Sequence, residues 1–139
     1  MQDKNNNILK GFKIDIKGAV GIIFDTAGNI LLGKAKTDDE RNGKWVFVGG
    51  TVDTGESPLN TAIRETYEES GVLTQPVSTE MIIHPTKPDV AFFLLRAIET
   101  EPEIHYNFEY TDMKWFNVME LPENILSLNK YLLRKILNL

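Results

Sequence analysis

From Gly50 to Val72 the chain reads GTVDTGESPLNTAIRETYEESGV, with the signals for both ends of a helix inside it. Ser57 followed by Pro58 predicts a helix start, because the hydroxyl can cap a free N–H while proline sits where no N–H partner is needed. Gly71 predicts its end, since glycine adopts the left-handed C-terminal conformation without a Cβ penalty. At about 100° per residue, a Pro58–Ser70 helix places Leu59, Ala62, Ile63, Thr66 and Tyr67 on one face, and Glu65, Glu68 and Glu69 on another, within roughly a quarter-turn or slightly more. Glu65 with Glu69 and Glu65 with Glu68 are like-charge pairs at i,i+4 and i,i+3, each costing an isolated helix roughly 0.2–0.5 kcal/mol. They also lie toward the end where the helix dipole disfavours negative charge. A bound hard dication removes both penalties, and an all-oxygen set suits Mg²⁺ or Mn²⁺. The plainer alternative is a solvated acidic helix face.

Outward from this helix, short strands with turns between them are expected. Phe12, Ile14 and Ile16 alternate with polar residues, and Ala19 to Phe24 is a near-continuous apolar run suited to a buried strand. The turn Asp25 to Asn29, with Gly28 and Asn29 available for positive φ, predicts a hairpin returning through Ile30 to Gly33. Lys34 to Lys44 reads as a charged loop, and Trp45 to Val48 as a strand stopped by Gly49-Gly50. Beyond the helix, Met81–Ile83 and Val90–Leu95 read as strands flanking a loop with Pro85 and Pro88. Lys114 to Phe116 reads as a short edge strand. Leu128, Leu132, Leu133 and Ile136 have the spacing of an amphipathic helix over Leu126 to Leu137. Strands before, between and after two helices imply an α/β sandwich with a mixed sheet.

Composition limits the function classes. A chain of 139 residues that is 42% hydrophobic suits one domain with one core, spanning residues 1–139, with only Met1 to Asn7 expected to be loose. The absence of cysteine removes disulfides, thiolate metal sites and a Cys nucleophile together. Fifteen basic against twenty acidic residues leave a formal charge of −5, which disfavours a protein whose partner is a long nucleic-acid backbone. No apolar run is long enough to span a membrane, and MQDKNNN lacks the order of a secretory signal, so a soluble cytoplasmic protein is expected.

The spacing Gly50, five residues, Glu56, seven residues, Arg64-Glu65, two residues, Glu68-Glu69, one residue, Gly71-Val72 resembles the Nudix box, Gly-x5-Glu-x7-Arg-Glu-U-x-Glu-Glu-x-Gly-U, where U is bulky and aliphatic. All seven fixed positions match, and at ~7% per residue type a chance match is on the order of 10⁻⁸ per starting position. Thr66 departs from the pattern where an aliphatic residue is usual. Val48 stands where many members carry proline before the glycine pair. The resemblance implies a Nudix-type α/β/α sandwich and hydrolysis of a phosphoanhydride bond in a nucleotide.

Carried over residue by residue, the resemblance implies that Glu68 and Glu69 bind the metal directly, that Glu65 is a further ligand or orients the water, and that the Gly49 carbonyl is a backbone ligand. Arg64 is implied to orient the glutamates, an i,i+4 ion pair with Glu68 being the local alternative. Glu56 is implied to fix the loop through hydrogen bonds, with Gly50 and Gly71 shaping it. Glu109, six residues before Trp115, matches the spacing by which some small members supply an extra carboxylate, with Glu101, Glu103 and Asp112 as neighbouring alternatives. The chemistry suits the set: polyphosphates repel hydroxide, divalent ions neutralise them and acidify a water, and a carboxylate takes its proton. Among Lys34, Lys36, Arg41 and Lys44, Lys34 is the first choice for a phosphate contact. Phe47 is a candidate to stack on a base, with a core role as its alternative, and His84 and His105 lack metal-ligand spacing.

The leading expectation is cleavage of a nucleoside triphosphate to a monophosphate and pyrophosphate by a monomer or homodimer using Mg²⁺, with Mn²⁺ a possible substitute. Alternatives are a nucleotide sugar or ADP-ribose, for which Pro88 is a weak pointer, a dinucleoside polyphosphate or capped RNA end, and a module that senses nucleotides without cutting them.

Overall fold

A period of two runs through the central strands of the computed structural model, which describes residues 15–139. In chain order the elements are β1 (Gly18–Phe24), β2 (Ile30–Ala35), β3 (Trp45–Val46), β4 (Val48–Thr51), α1 (Pro58–Ser70), β5 (Thr74–Pro76), β6 (Ile82–Ile83), β7 (Val90–Ala97), β8 (Tyr110–Phe116) and α2 (Ser127–Ile136). In β1, Ala19 and Ile23 join one core cluster with Ala62 and Val72, while Ile22 joins a second with Leu132 and Leu133. In β7, Ala91, Phe93 and Leu95 go to the first cluster and Phe92 to the second. Successive side chains on a strand point to opposite faces, so this double burial requires a helix on each side of the sheet. The result is the expected α/β/α sandwich.

The sheet is mixed, as expected: β1 and β7 pair in parallel from Gly18↔Val90 to Phe24↔Arg96, and the other ladders are antiparallel. Among the described residues it has eight strands, with the path β3-β2-β1-β7-β5 and with β4 on β1, β6 on β7 and β8 on β2. Gly49 and Gly50 do not stop a strand but lie inside β4, opposite Val20 and Ala19. β3 pairs with β2 whereas β4 pairs with β1, so the chain changes partner at Phe47. The Phe47 N–H donates instead to the buried Asn129 Oδ1 of α2, at 3.0 Å. β2 reaches Ala35, so Lys34 is a strand residue, and β8 begins four residues before the predicted edge strand. β5 was not predicted at all. Of the expected first strand, Phe12 and Ile14 lie outside the described residues, as do Met1 to Asn7, and Ile16 belongs to no strand. Gly28 takes positive φ in the β1–β2 turn, but Asn29 does not.

The helix over Pro58–Ser70 forms as predicted: Ser57 Oγ accepts from the Asn60 N–H, and Gly71 is left-handed at φ 75°. Its buried stripe is rotated from the expected one. Thr61, Ala62, Thr66, Glu69 and Ser70 are buried, whereas Tyr67 is exposed. Thr66 is fully buried, and its Oγ1 has no hydrogen-bond partner among the described residues. An unpaired buried hydroxyl costs about 1 kcal/mol or more. Thr66→Val, which keeps the shape and restores an aliphatic residue, is therefore expected to raise the unfolding free energy by about 1 kcal/mol in urea titrations. A loss of stability would show that the hydroxyl is satisfied.

Candidate active site

The three box carboxylates leave α1 in different directions because the helix is half sunk in the core. Glu69 is 2% exposed, and its Oε1 accepts from Tyr110 Oη at 2.5 Å. The Glu65 side chain is 17% exposed and lies against β4, where a Cβ on Gly50 would collide with the Glu65 carboxyl. Only glycine at position 50 leaves room for that carboxyl. Glu68 points outward, with a side chain 53% exposed.

Arg64 is the hub of the outer half of the site. Its Nε and Nη2 donate to both oxygens of Glu56 at 2.7 and 2.9 Å, and Nη1 donates to Glu68 at 2.8 Å. Nη1 also reaches Glu65 at 3.5 Å and Nη2 reaches Asp53 at 3.3 Å. Arg64 makes the i,i+4 ion pair with Glu68 and also contacts Glu56 and Glu65. Thr61 Oγ1 adds a 2.6 Å bond to Glu56. The Arg64 fork and Thr61 together hold the Glu56 carboxyl down at about 2.

On the inner half, burial pushes the Glu69 carboxyl up to about 8; Tyr110 opposes this, while a hydrogen bond shared with Glu65 and the charge of Glu109 add to it. Burial and the Glu69 carboxylate in turn push the Tyr110 phenol upward, so it stays a donor. Glu69 is thus buried without a cationic partner among the described residues, and the neighbouring Glu65 and Glu109 oppose its ionisation further. Among the described residues no three acidic or histidine side chains converge as a ready metal cage. Glu68 turns outward to its ion pair with Arg64. The donor set is all oxygen and the glycine cradle holds Glu65 in place, so the residues fit a hard dication: Glu65 and Glu69 could hold it, with Glu68 and Glu109 within the same cluster.

A stability consequence follows for the metal-free protein. The ordinary Glu69 value is 4.5 and the folded value about 8, so between these limits the folded state holds a proton that the unfolded chain has lost. Stability must then fall as pH rises through that window. Glu56 works oppositely, but only between 4.5 and about 2, and is constant above. With a chelator present, Tm is expected to decline from pH 5 to pH 8, and saturating Mg²⁺ at pH 8 to reverse the decline. A Tm that rises toward pH 8 under chelation would contradict the assignment.

A cleft of about 400 Å³ opens beside this cluster. Gly49, Gly50, Glu109 and Tyr110 line it, as do the cations Lys36 and Arg41. Lys34, preferred from sequence, does not line it; its backbone pairs with Trp45 on one side and Asp112 on the other. Asp39 fixes the Arg41 guanidinium through Nε and Nη2, at 3.1 and 2.7 Å to Oδ2. Phe47 lines the cleft but is only 5% exposed, so it is floor rather than a free stacking surface. Of the acidic alternatives to Glu109, Glu103 pairs with His105 and Asp112 with Lys114, and none of the three lines the cleft. Tyr110 and Thr61 were missed from sequence; the only signal for Tyr110 was an aromatic residue directly after Glu109.

A family model described as NUDIX domain matches residues 16–136. The chain is 26% identical over 146 residues to an RNA pyrophosphohydrolase of Bartonella quintana, a match covering 84% of each chain. It is 32% identical over 88 residues to an 8-oxo-dGTP diphosphatase of Escherichia coli, covering 60% of this chain and 68% of that one. An Ap4A hydrolase of C. elegans shares the fold, with a TM-score of 0.70 at 24% identity over 88% of this chain and 96% of that one. Among the described residues no helix is long and apolar enough to cross a membrane.

Proposed function

The chain belongs to the NUDIX domain family, and from that membership we propose that it is a nucleoside triphosphate pyrophosphohydrolase, releasing pyrophosphate and a nucleoside monophosphate with the help of Mg²⁺ or Mn²⁺. The observation that carries this reading is the buried Glu69 with the half-buried Glu65 packed on Gly50, beside a cleft lined by Gly50, Glu109, Lys36 and Arg41. Glu65 and Glu69 would hold the ion, with Glu68, Glu109 and the Gly49 carbonyl as further oxygen donors. A dication held there would supply charge neutralisation at the phosphates and a more acidic attacking water. A carboxylate of the cluster would take the water's proton. Lys36 and Arg41 hold phosphate oxygens, Arg41 presented by Asp39. Arg64 and Glu56 keep the helix start and the glycine strand in register without touching substrate.

The Escherichia coli relative named for 8-oxo-dGTP supports a triphosphate substrate. The wider match to an RNA pyrophosphohydrolase supports a second reading, a triphosphate at an RNA end, against which stands the formal charge of −5. Retention of every box carboxylate favours catalysis over sensing. The test is a panel of nucleoside triphosphates, ADP-ribose, a nucleotide sugar and a 5′-triphosphorylated oligonucleotide with Mg²⁺, with products resolved as pyrophosphate, phosphate or sugar phosphate. Pyrophosphate from free triphosphates is the expected result. Binding of these compounds with no turnover would overturn the reading in favour of a sensor.

A further inference from the structure

His84, without metal-ligand spacing and set aside on sequence, lines the same cleft. It begins the β6–β7 connection, and its ring is held on three counts. One face is stacked on Phe92, centroids 5.9 Å apart at 25°. Phe92 in turn meets Phe47 edge-on at 6.2 Å, so the three rings form one continuous wall. The Nδ1 atom accepts from the Thr86 and Lys87 backbone N–H groups at 3.1 and 3.0 Å.

The loop carrying the ring is itself braced. The His84 N–H donates to Val90 O at 2.9 Å and the Val90 N–H to Lys87 O at 3.0 Å. The N–H groups of Lys17 and Gly18 donate to Asp89 O, which pins the loop to the start of β1.

A nitrogen that accepts two N–H bonds cannot also carry a proton, so the neutral ring must carry its hydrogen on Nε2. Burial and the neighbouring Lys87 charge lower the His84 value, which keeps the ring in this neutral form. No described residue accepts from Nε2. The ring therefore offers one fixed donor, beside Lys87, which also lines the cleft and can only donate.

We propose that His84, with Lys87, reads the base of the nucleotide and selects bases bearing a carbonyl oxygen over bases bearing an amino group at the equivalent position. This rests on the hydrolase reading above, and it supplies the substrate class. A donor-only edge pairs with a carbonyl oxygen and is left unmade against an amino group, and a site built to hydrogen-bond discriminates strongly against the analogue that cannot.

ITP and ATP test this directly, since they differ at the six-position as carbonyl against amino. The wild-type protein is expected to favour ITP in kcat/KM on the order of tenfold. In His84→Asn the amide oxygen can still accept from the loop N–H groups but no donor reaches the base, so the ratio should fall to near one with Tm retained. In His84→Gln the amide nitrogen stands in for Nε2, and most of the ratio should return. Dissociation constants for IMP and AMP, by calorimetry, give the same comparison without turnover. If IMP binds more tightly through His84 but nothing is cut, the hydrolase reading fails and the base-reading role stands. A wild-type ratio of one or below, or a His84→Asn variant that keeps the wild-type ratio, overturns the proposal.

Discussion

Glu69→Gln is expected to lower triphosphate turnover by on the order of 10³-fold or more while the protein stays folded. The amide fills the same volume, its oxygen still accepts from Tyr110, and its nitrogen can donate to Glu65. What disappears is the negative charge that would hold a dication. The metal-free protein reports on the same substitution with the opposite sign. Wild-type Glu69, raised to about 8, costs stability as pH rises, and an amide has no such cost. The variant should therefore be at least as stable as wild type at pH 8 under chelation, with a Tm that is flat across the window, and Mg²⁺ should no longer raise it. Catalysis surviving in a folded Glu69→Gln protein would remove Glu69 from the ion's ligands.

The paired glycines of β4 are expected to divide stability from activity. A Cβ on Gly49 would lie 2.5 Å from the Ala19 carbonyl oxygen and 2.7 Å from Val20 Cα, both backbone atoms of the neighbouring strand. Gly49→Ala must push β4 off β1, at an overpacking cost of roughly 1–3 kcal/mol or more. A Cβ on Gly50 meets only the end of the Glu65 side chain, which can swing away. Gly50→Ala should thus unfold within about 1 kcal/mol of wild type yet lose on the order of 10²-fold in kcat/KM, because a displacement of about 1 Å at a reacting group has that effect. Urea titration and steady-state kinetics on both variants check the pair. Equal activity in Gly50→Ala and wild type would mean that the position of Glu65 does not matter to the reaction.

Helix α1 was legible in the sequence to the residue, since its signals are local: a capping Ser57, Pro58 at the first position and a left-handed Gly71 act within one turn of where they stand. The apolar runs of β1 and β7 were legible for the same reason. The assignment of Gly49-Gly50 as a strand terminator failed because a glycine reads as punctuation until a neighbour approaches it. Here the neighbours are Ala19, Val20 and Glu65, brought in by pairing across the sheet. Lys36 rather than Lys34 lines the cleft, and which of the two does so depends on how β2 lies between β3 and β8, which cannot be read from either strand alone.

By itself, then, the spacing from Gly50 to Val72 determined the family, the helix and the acidic residue types, all of which depend on contacts a few positions apart. Which glutamate is buried, its bond from Tyr110 of β8, and the placing of Lys36, Arg41 and Lys87 rather than Lys34 at the cleft came from the tertiary structure. Burial and electrostatics depend on what packs against a group in space. The residues that pack against Glu69 come from a strand more than one quarter of the chain away, 41 positions along in the case of Tyr110.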